Sequence, residues 1–211
     1  MRVSVIGAGP MGRAAARQFA LAGETVGLAD RSAERALRAA ADAGAGTRGD
    51  VVAEDISTAL RAELITLAMG TDEVLDFVTR YRAELAGKIL IDTTNPVAEG
   101  AGQGPPGTSM TELIARAAPQ SSVVKAFNTA CAATLFSGRL DGAHLDVFVA
   151  GDDYGAKIPV IELIDRAGLR GLDAGALSNA HVLEQMALLC MELIDRLGLG
   201  RHAGIKLLPD G

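Results

Sequence analysis

Two short stretches carry residue types at spacings that suggest chemistry. Gly7-Ala8-Gly9-Pro10-Met11-Gly12 is a complete G-x-G-x-x-G that follows the apolar run VSVI and opens an alanine-rich segment. In that setting Gly7 permits a tight turn, Gly9 lets the backbone approach a pyrophosphate, and Gly12 lets a helix pack closely on a strand. The helix that starts around Pro10 and Met11 would hold the phosphates with its free N–H groups and positive dipole end. The second stretch, GLADRSAER, puts Asp30 at the end of the next apolar run. A carboxylate there accepts hydrogen bonds from an adenosine ribose 2′-OH and repels a 2′-phosphate. Arg31 follows at once and Arg35 comes one helical turn later, with Ser32 as the expected N-cap between them. Two guanidiniums beside that ribose suit a phosphate. Asp30 alone therefore reads as NAD and the arginines read as NADP, unless Arg31 stacks on adenine and Arg35 only covers a solvated helix face.

No other residues have catalytic spacing. His144, His181 and His202 are scattered, and no Cys-His or Ser-His-Asp pattern exists. Cys131 and Cys190 are far apart and form no CxxC, so neither a disulfide framework nor a zinc cluster is suggested. The expectation is a site without a catalytic side chain and without metal. A formal charge of -6 and the lack of any Lys/Arg run argue against nucleic acid or an anionic membrane as partner. No basic-then-apolar leader opens the sequence and no run approaches the roughly 20 apolar residues of a membrane span, so a cytoplasmic protein is expected. Aromatics make up only 3% of the chain, so a flat ligand should rest mostly on aliphatic side chains and backbone.

The elements that must position these residues alternate between short apolar runs and longer amphipathic ones. VSVIG, TVGLAD, LITLAM (64–69), KILIDTT (88–94) and SVVKAF (122–127) read as strands, while GRAAARQFALAG and SAERALRAAADAG read as helices. TDEVLDFVTRYRAELAG reads as one helix, with Thr71 as N-cap and Gly87 as its stop. This rhythm implies crossovers and a mainly parallel sheet, hence a doubly wound α/β domain over residues 1–127. AEGAGQGPPGTS (98–109) reads as a loop bordering the ligand crevice, and TELIARAA as a short helix. Residues 128–211 read as a small α+β domain: a short helix at ACAATLF, a strand DVFVAG, a helix YGAKIPVIELIDRAG with Pro159 in its first turns, a strand LRGLDAG, and a long helix from Ser178 to about Leu197. On that helix Val182, Leu183, Met186, Leu189, Cys190, Leu193, Ile194 and Leu197 cover more than one stripe. It should be buried on two sides, by ordinary core or by a second copy of the chain.

Taken together, VIGAGPMG, IDTTNPV, VVKAFNT, GLRGLDAGALSNAHVLEQMALLCMELI and GIKLL resemble the coenzyme F420-dependent NADP oxidoreductase family, whose oxidoreductase domain is shared by STEAP-type reductases. The glycine motif is generic; the LDAGxLSN segment and the GIKxL tail are specific. The resemblance implies a Rossmann-type doubly wound sheet with a small C-terminal domain, a homodimer, and F420 in the cleft between the domains. It further implies direct hydride exchange between C4 of the nicotinamide and C5 of F420, leaving the protein to position both cofactors and exclude water. Carried over by position, Ala68, Met69 and Gly70 should line the cofactor ribose and Asn95 and Pro96 should lie near the nicotinamide. Asn128, Thr129 and Ala130 should border the hydride-transfer cleft, with Ala203 and Gly204 closing it. The blander reading of TTNPV and AFNT is a strand end followed by turn-forming residues. Three departures stand out: Asp30 where related archaeal-type enzymes carry a small Ser, Asn128 where they tend to have His, and a loop of different make-up at 98–109. They keep open a reductase of a small imine, carbonyl or alkene, with Asn128, Thr129, Tyr154 or His181 as proton donor. The absence of any recognisable catalytic group also keeps open a nucleotide sensor without turnover. The sequence is read as NADP-preferring, with NAD also accepted.

Overall fold

The computed structural model describes residues 1–96 and 107–208. Most of the loop expected at 98–109 lies outside the described residues. The first part of the chain runs β1 (Val3–Ile6), α1 (Pro10–Leu21), β2 (Thr25–Ala29), α2 (Ala33–Gly44), β3 (Asp50–Glu54), α3 (Ile56–Ala59), β4 (Leu64–Leu67), α4 (Thr71–Arg80), α5 (Arg82–Leu85), β5 (Ile89–Asp92), α6 (Met110–Ala117) and β6 (Ser122–Lys125). The six strands form one parallel sheet in the order β3-β2-β1-β4-β5-β6. Strand order reverses between β1 and β4, and ligands of open α/β sheets bind outside the strand ends at such a point. β1 and β4 are buried along their whole lengths, as central strands covered on both faces must be. Ala14, Ala15, Ala16 and Ala20 of α1 are fully buried, because small side chains let this helix lie close to the sheet.

The second part runs α7 (Ala132–Ser137), β7 (Arg139–Leu140), β8 (Ala143–His144), β9 (Asp146–Val149), α8 (Tyr154–Arg166), β10 (Arg170–Asp173) and α9 (Asn179–Leu197). β9 and β10 pair in parallel, and an antiparallel bridge from Lys125 to Ala150 joins the end of β6 to the β9 segment. One apolar cluster spans both parts, with Phe19 and Val5 packed in the same core as Leu135, Val147 and Leu163. A second cluster, including Ile65, Val74, Leu90 and Ile114, covers the other face of the sheet.

Several expectations need correction. The strand DVVAE was not anticipated; it is an edge strand, charged at both ends and only partly buried. The helix expected over 71–87 is broken at Tyr81, and its N-cap is Gly70 rather than Thr71. The β7–β8 hairpin was also missed; it turns at Asp141 and Gly142, both with positive φ (49° and 77°), as a two-residue hairpin turn requires. Pro159 lies within the first turns of α8, as expected, in the second of them, and removes the N–H that would bond the Gly155 carbonyl. On α9, Ala180, Leu183, Glu184 and Ala187 are buried within the chain, while Val182, Leu189, Leu193 and Leu197 are exposed. Among the described residues no helix is long and apolar enough to cross a membrane.

Candidate functional site

The glycine loop leaves β1 at the switch point. A Cβ on Gly7 (φ 107°) would sit 2.1 Å from the Ala68 carbonyl oxygen, and one on Gly12 would sit 1.8 Å from that of Gly7. A Cβ on Gly9 would meet nothing within 4 Å. Packing therefore demands glycine at positions 7 and 12, whereas position 9 is bare toward open space at the N-terminus of α1, where a phosphate would approach. Beside it lies a cleft of about 510 Å³ that brings together Gly7, Gly9, Asp30, Arg31, Arg35, Ala68, Met69 and Gly70. Eight of the residues named from sequence thus share one cavity, of a size usual for a small-molecule site. Pro10, with Gly9, Arg13, Arg35 and Arg38, lines an adjoining groove. Met11 packs against the core instead, and Ser32 caps α2 by accepting from the Arg35 N–H.

Asp30 is more constrained than its position in sequence suggests. Its side chain is 5% exposed. Oδ2 accepts from the Ala8 N–H at 2.9 Å, and Oδ1 accepts from the Ser32 N–H at 2.9 Å and from Arg35 at 2.6 Å. Burial opposes its ionisation, yet Arg35 and the two N–H groups outweigh burial and hold the carboxyl below its ordinary range. Asp30 thus braces the glycine loop and draws in Arg35. Arg31 reaches across the cleft to Glu73 on the first turn of α4 at 2.5 Å. The far wall carries Ile56, Met69, Phe77 and Tyr81, and the two aromatic rings lie with centroids 4.7 Å apart. The expected aliphatic wall therefore includes two of the chain's few aromatics, which the sequence reading did not place.

The strand ends after β5 and β6 meet over a buried charge set. Lys125 Nζ donates to Asp92 Oδ2 (2.9 Å), Glu184 Oε1 (2.9 Å) and the Thr94 carbonyl (2.5 Å). Thr111 Oγ1 donates to Asp92, and the Met110 N–H donates to Glu184. Burial raises the Glu184 carboxyl above its ordinary range, against the pull of Lys125. Next in the chain, buried Phe127 adopts a left-handed φ of 66°, with its ring edge-on to Phe19. Such a conformation is uncommon for a bulky residue and turns the backbone sharply. Asn128 is thereby aimed at Asn95: Asn95 Nδ2 donates to the Asn128 carbonyl at 2.8 Å, while Asn128 Nδ2 donates to Asn95 Oδ1 at 2.9 Å and to the Leu183 carbonyl at 3.0 Å. Backbone carbonyls only accept, so both amide orientations are fixed. Asn128, Thr129 and Ala130 are buried and Pro96 is half-buried, so this turn offers shape and backbone. Tyr154 is 66% exposed at the start of α8.

The tail is pinned against α7 and the start of β9. Thr134 Oγ1, in the first turn of α7, donates to the Ala203 carbonyl at 2.9 Å, and Gly204 lies against Leu140 and Leu145. Buried Asp146 accepts from Arg170, from Lys206 Nζ at 2.9 Å and from the Leu207 N–H at 2.8 Å. Burial opposes its ionisation, but these donors prevail and depress its carboxyl. The lysine of GIKLL is thus an anchor that holds Ala203 and Gly204 against Thr134, Leu140 and Leu145. Among the described residues no group of three or more His, Cys, Asp or Glu is placed to hold a metal ion.

Residues 2–96 match the sequence model described as NADP oxidoreductase, coenzyme F420-dependent. The F420-dependent NADP reductase of Methanothermobacter thermautotrophicus is 30% identical over 233 aligned positions, covering 100% of this chain and 97% of that protein. The chain belongs to the F420-dependent NADP reductase family. A crystal structure from Arthrobacter sp. FB24, described as a candidate F420-dependent NADP-reductase, superposes with a TM-score of 0.77 at 29% identity and covers 94% of this chain and 95% of that one. Rat metalloreductase STEAP3 is 38% identical over 105 residues, half of this chain but only 21% of that protein. For this family member, sequence reasoning passed over Glu73, Phe77, Tyr81, Lys125 and Glu184. Lys125 and Glu184 did leave a signal: one lysine in an otherwise apolar strand and one glutamate on the buried face of α9 had to find each other, because buried charges require partners.

Proposed function

We propose that this protein is an oxidoreductase that passes a hydride between NADP(H) and coenzyme F420, accepting NAD(H) less well. The observation that carries the reading is the bare Gly9 at the mouth of a switch-point cleft, in a chain related from end to end to reductases of that name. Gly9 and the first turn of α1 would hold the pyrophosphate. Ala68, Met69 and Gly70 would border the ribose, with adenine between Ile56, Met69 and Phe77. Arg31, Ser32 and Arg35 would meet a 2′-phosphate. The bound cofactors supply the chemistry, C4 of the nicotinamide and C5 of F420 being donor and acceptor. The chain's own part is to bind, orient and exclude water: the Asn95–Asn128 pair fixes the two strand-end turns, and Ala203 and Gly204 close the far side. Residues 128–211 act as the smaller domain that walls this cleft. The hydride itself needs no side-chain acid, since the proton that completes the reduced deazaflavin can be taken from solvent, and the tied Asn128 amide suits that chemistry better than a carbonyl reduction. The exposed leucines of α9 support a homodimer through that helix, and the use of two soluble cofactors supports a cytoplasmic location. Mixing purified protein with F420 and NADPH or NADH, while following deazaflavin absorbance, tests the function. Reduction by NADPH, slower by NADH, is expected, and no change with either nucleotide overturns it.

A further inference from the structure

Two guanidiniums flank the end of β2, and both are already engaged. Arg35 is drawn onto Asp30 at 2.6 Å, and Arg31 spans the cleft to Glu73 Oε1 at 2.5 Å. Arg31 and Glu73 come from opposite walls, 42 residues apart in sequence, and both line the cavity. The two carboxylates are not equivalent. Asp30 also holds the Ala8 N–H and so cannot change without disturbing the glycine loop. The Glu73 carboxylate has Arg31 as its one side-chain hydrogen-bond partner among the described residues, is half-exposed, and otherwise lies in the first turn of α4 within the electrostatic reach of Arg35.

We infer that Glu73 is a specificity-determining residue, occupying the Arg31 guanidinium that a 2′-phosphate would otherwise recruit and so narrowing the preference for NADP over NAD. The inference rests on the nucleotide reading of this cleft. A ribose 2′-hydroxyl leaves the Arg31–Glu73 pair intact. A 2′-phosphate must take Arg31 from Glu73 and then lie near the displaced carboxylate, so the penalty falls on NADP alone. The pair is solvent-exposed, at 74% and 48%, which bounds the effect. Exposed pairs of this kind shift an equilibrium by roughly two- to fivefold.

Nicotinamide fluorescence titrations with NADPH and NADH at low salt, on wild type, Glu73→Gln, Arg31→Ala and the double variant, decide the matter without F420. Glu73→Gln should tighten NADPH by roughly two- to fivefold and leave NADH unchanged. That gain should vanish in the Arg31→Ala background, the coupling that identifies action through Arg31. A NADPH-to-NADH ratio unchanged by Glu73→Gln overturns the inference, as does a gain that survives without Arg31, which would mean direct repulsion or action through Arg35. In either case wild-type protein that still binds both nucleotides leaves the nucleotide reading standing. Wild-type protein that binds neither removes both.

Discussion

Replacing Lys125 by methionine takes the cation out of a buried charge set and leaves the rest in place. Lys125 and Asp92 are fully buried and Glu184 is 1% exposed. Nζ donates to two carboxylates and the Thr94 carbonyl, so the change leaves two buried carboxylates without their cation, each keeping a neutral donor, and the Thr94 carbonyl without that bond. Removing one partner of a buried ion pair costs roughly 3–5 kcal/mol. Set against about 5–15 kcal/mol for a whole domain, that is a large fraction of the stability. At roughly 2–4 °C per kcal/mol for a chain of this length, the melting temperature should fall by about 6–20 °C. Methionine fills a similar volume, so the loss is one of charge, and Lys125→Met/Glu184→Gln should recover much of it. The pH dependence has a defined sign. Glu184 has a folded value raised above its ordinary 4.5, so the stability linked to it is full below that value and is lost as pH rises through the raised one. Without Lys125 that value climbs further, and the deficit relative to wild type should be larger near pH 8 than near pH 5. Calorimetric melts at both pH values measure it. A loss under about 1 kcal/mol, a double variant no more stable than Lys125→Met, or a deficit that grows toward acid would refute the reasoning.

Three further outcomes follow from the cleft and the tail. Gly9→Ala should melt with the wild type yet bind NADPH at least about tenfold more weakly in calorimetry, whereas Gly12→Ala should already lose stability without nucleotide; equal melting of the two variants would contradict this. Asp30→Ser should raise the NADPH-to-NADH affinity ratio by releasing Arg35, while weakening both nucleotides because the Ala8 N–H loses its acceptor; an unchanged ratio would show that Arg35 does not meet the 2′-phosphate. Asp146→Asn should cost about 2 kcal/mol or more and expose the Leu207 amide to rapid hydrogen exchange. The Asp146 contribution is present above the ordinary value of 3.8 and is lost as pH falls through the depressed one, so the variant and wild type should converge in acid.

Local features were legible in the sequence, and long-range pairings were not. The strands β1, β2, β4, β5 and β6 and the glycine turn read correctly because well-covered strands are short apolar runs and each glycine answers to its immediate backbone. β3 escaped because an edge strand needs only half an apolar face, and the β7–β8 hairpin because two residues a side carry no periodicity. Asp30 was placed correctly at a strand end, but the partners of its two oxygens include Ala8, distant in sequence, so its role as a brace could not be read. Asn128 looked like a donor in isolation; the Leu183 carbonyl that ties it lies 55 residues away. Lys125 and Glu184 are separated by 59 residues, and only the folded sheet and α9 bring them together.

The central claim is direct hydride transfer, and an isotope label tests it most directly. NADPH deuterated at C4, prepared separately on each face, is incubated with the protein and F420, and the reduced deazaflavin is analysed by mass spectrometry. The account predicts loss of the F420 absorbance and one deuterium at C5 of the reduced product from one of the two labelled forms. Unchanged absorbance with both NADPH and NADH, or reduced F420 carrying no deuterium from either form, would contradict it.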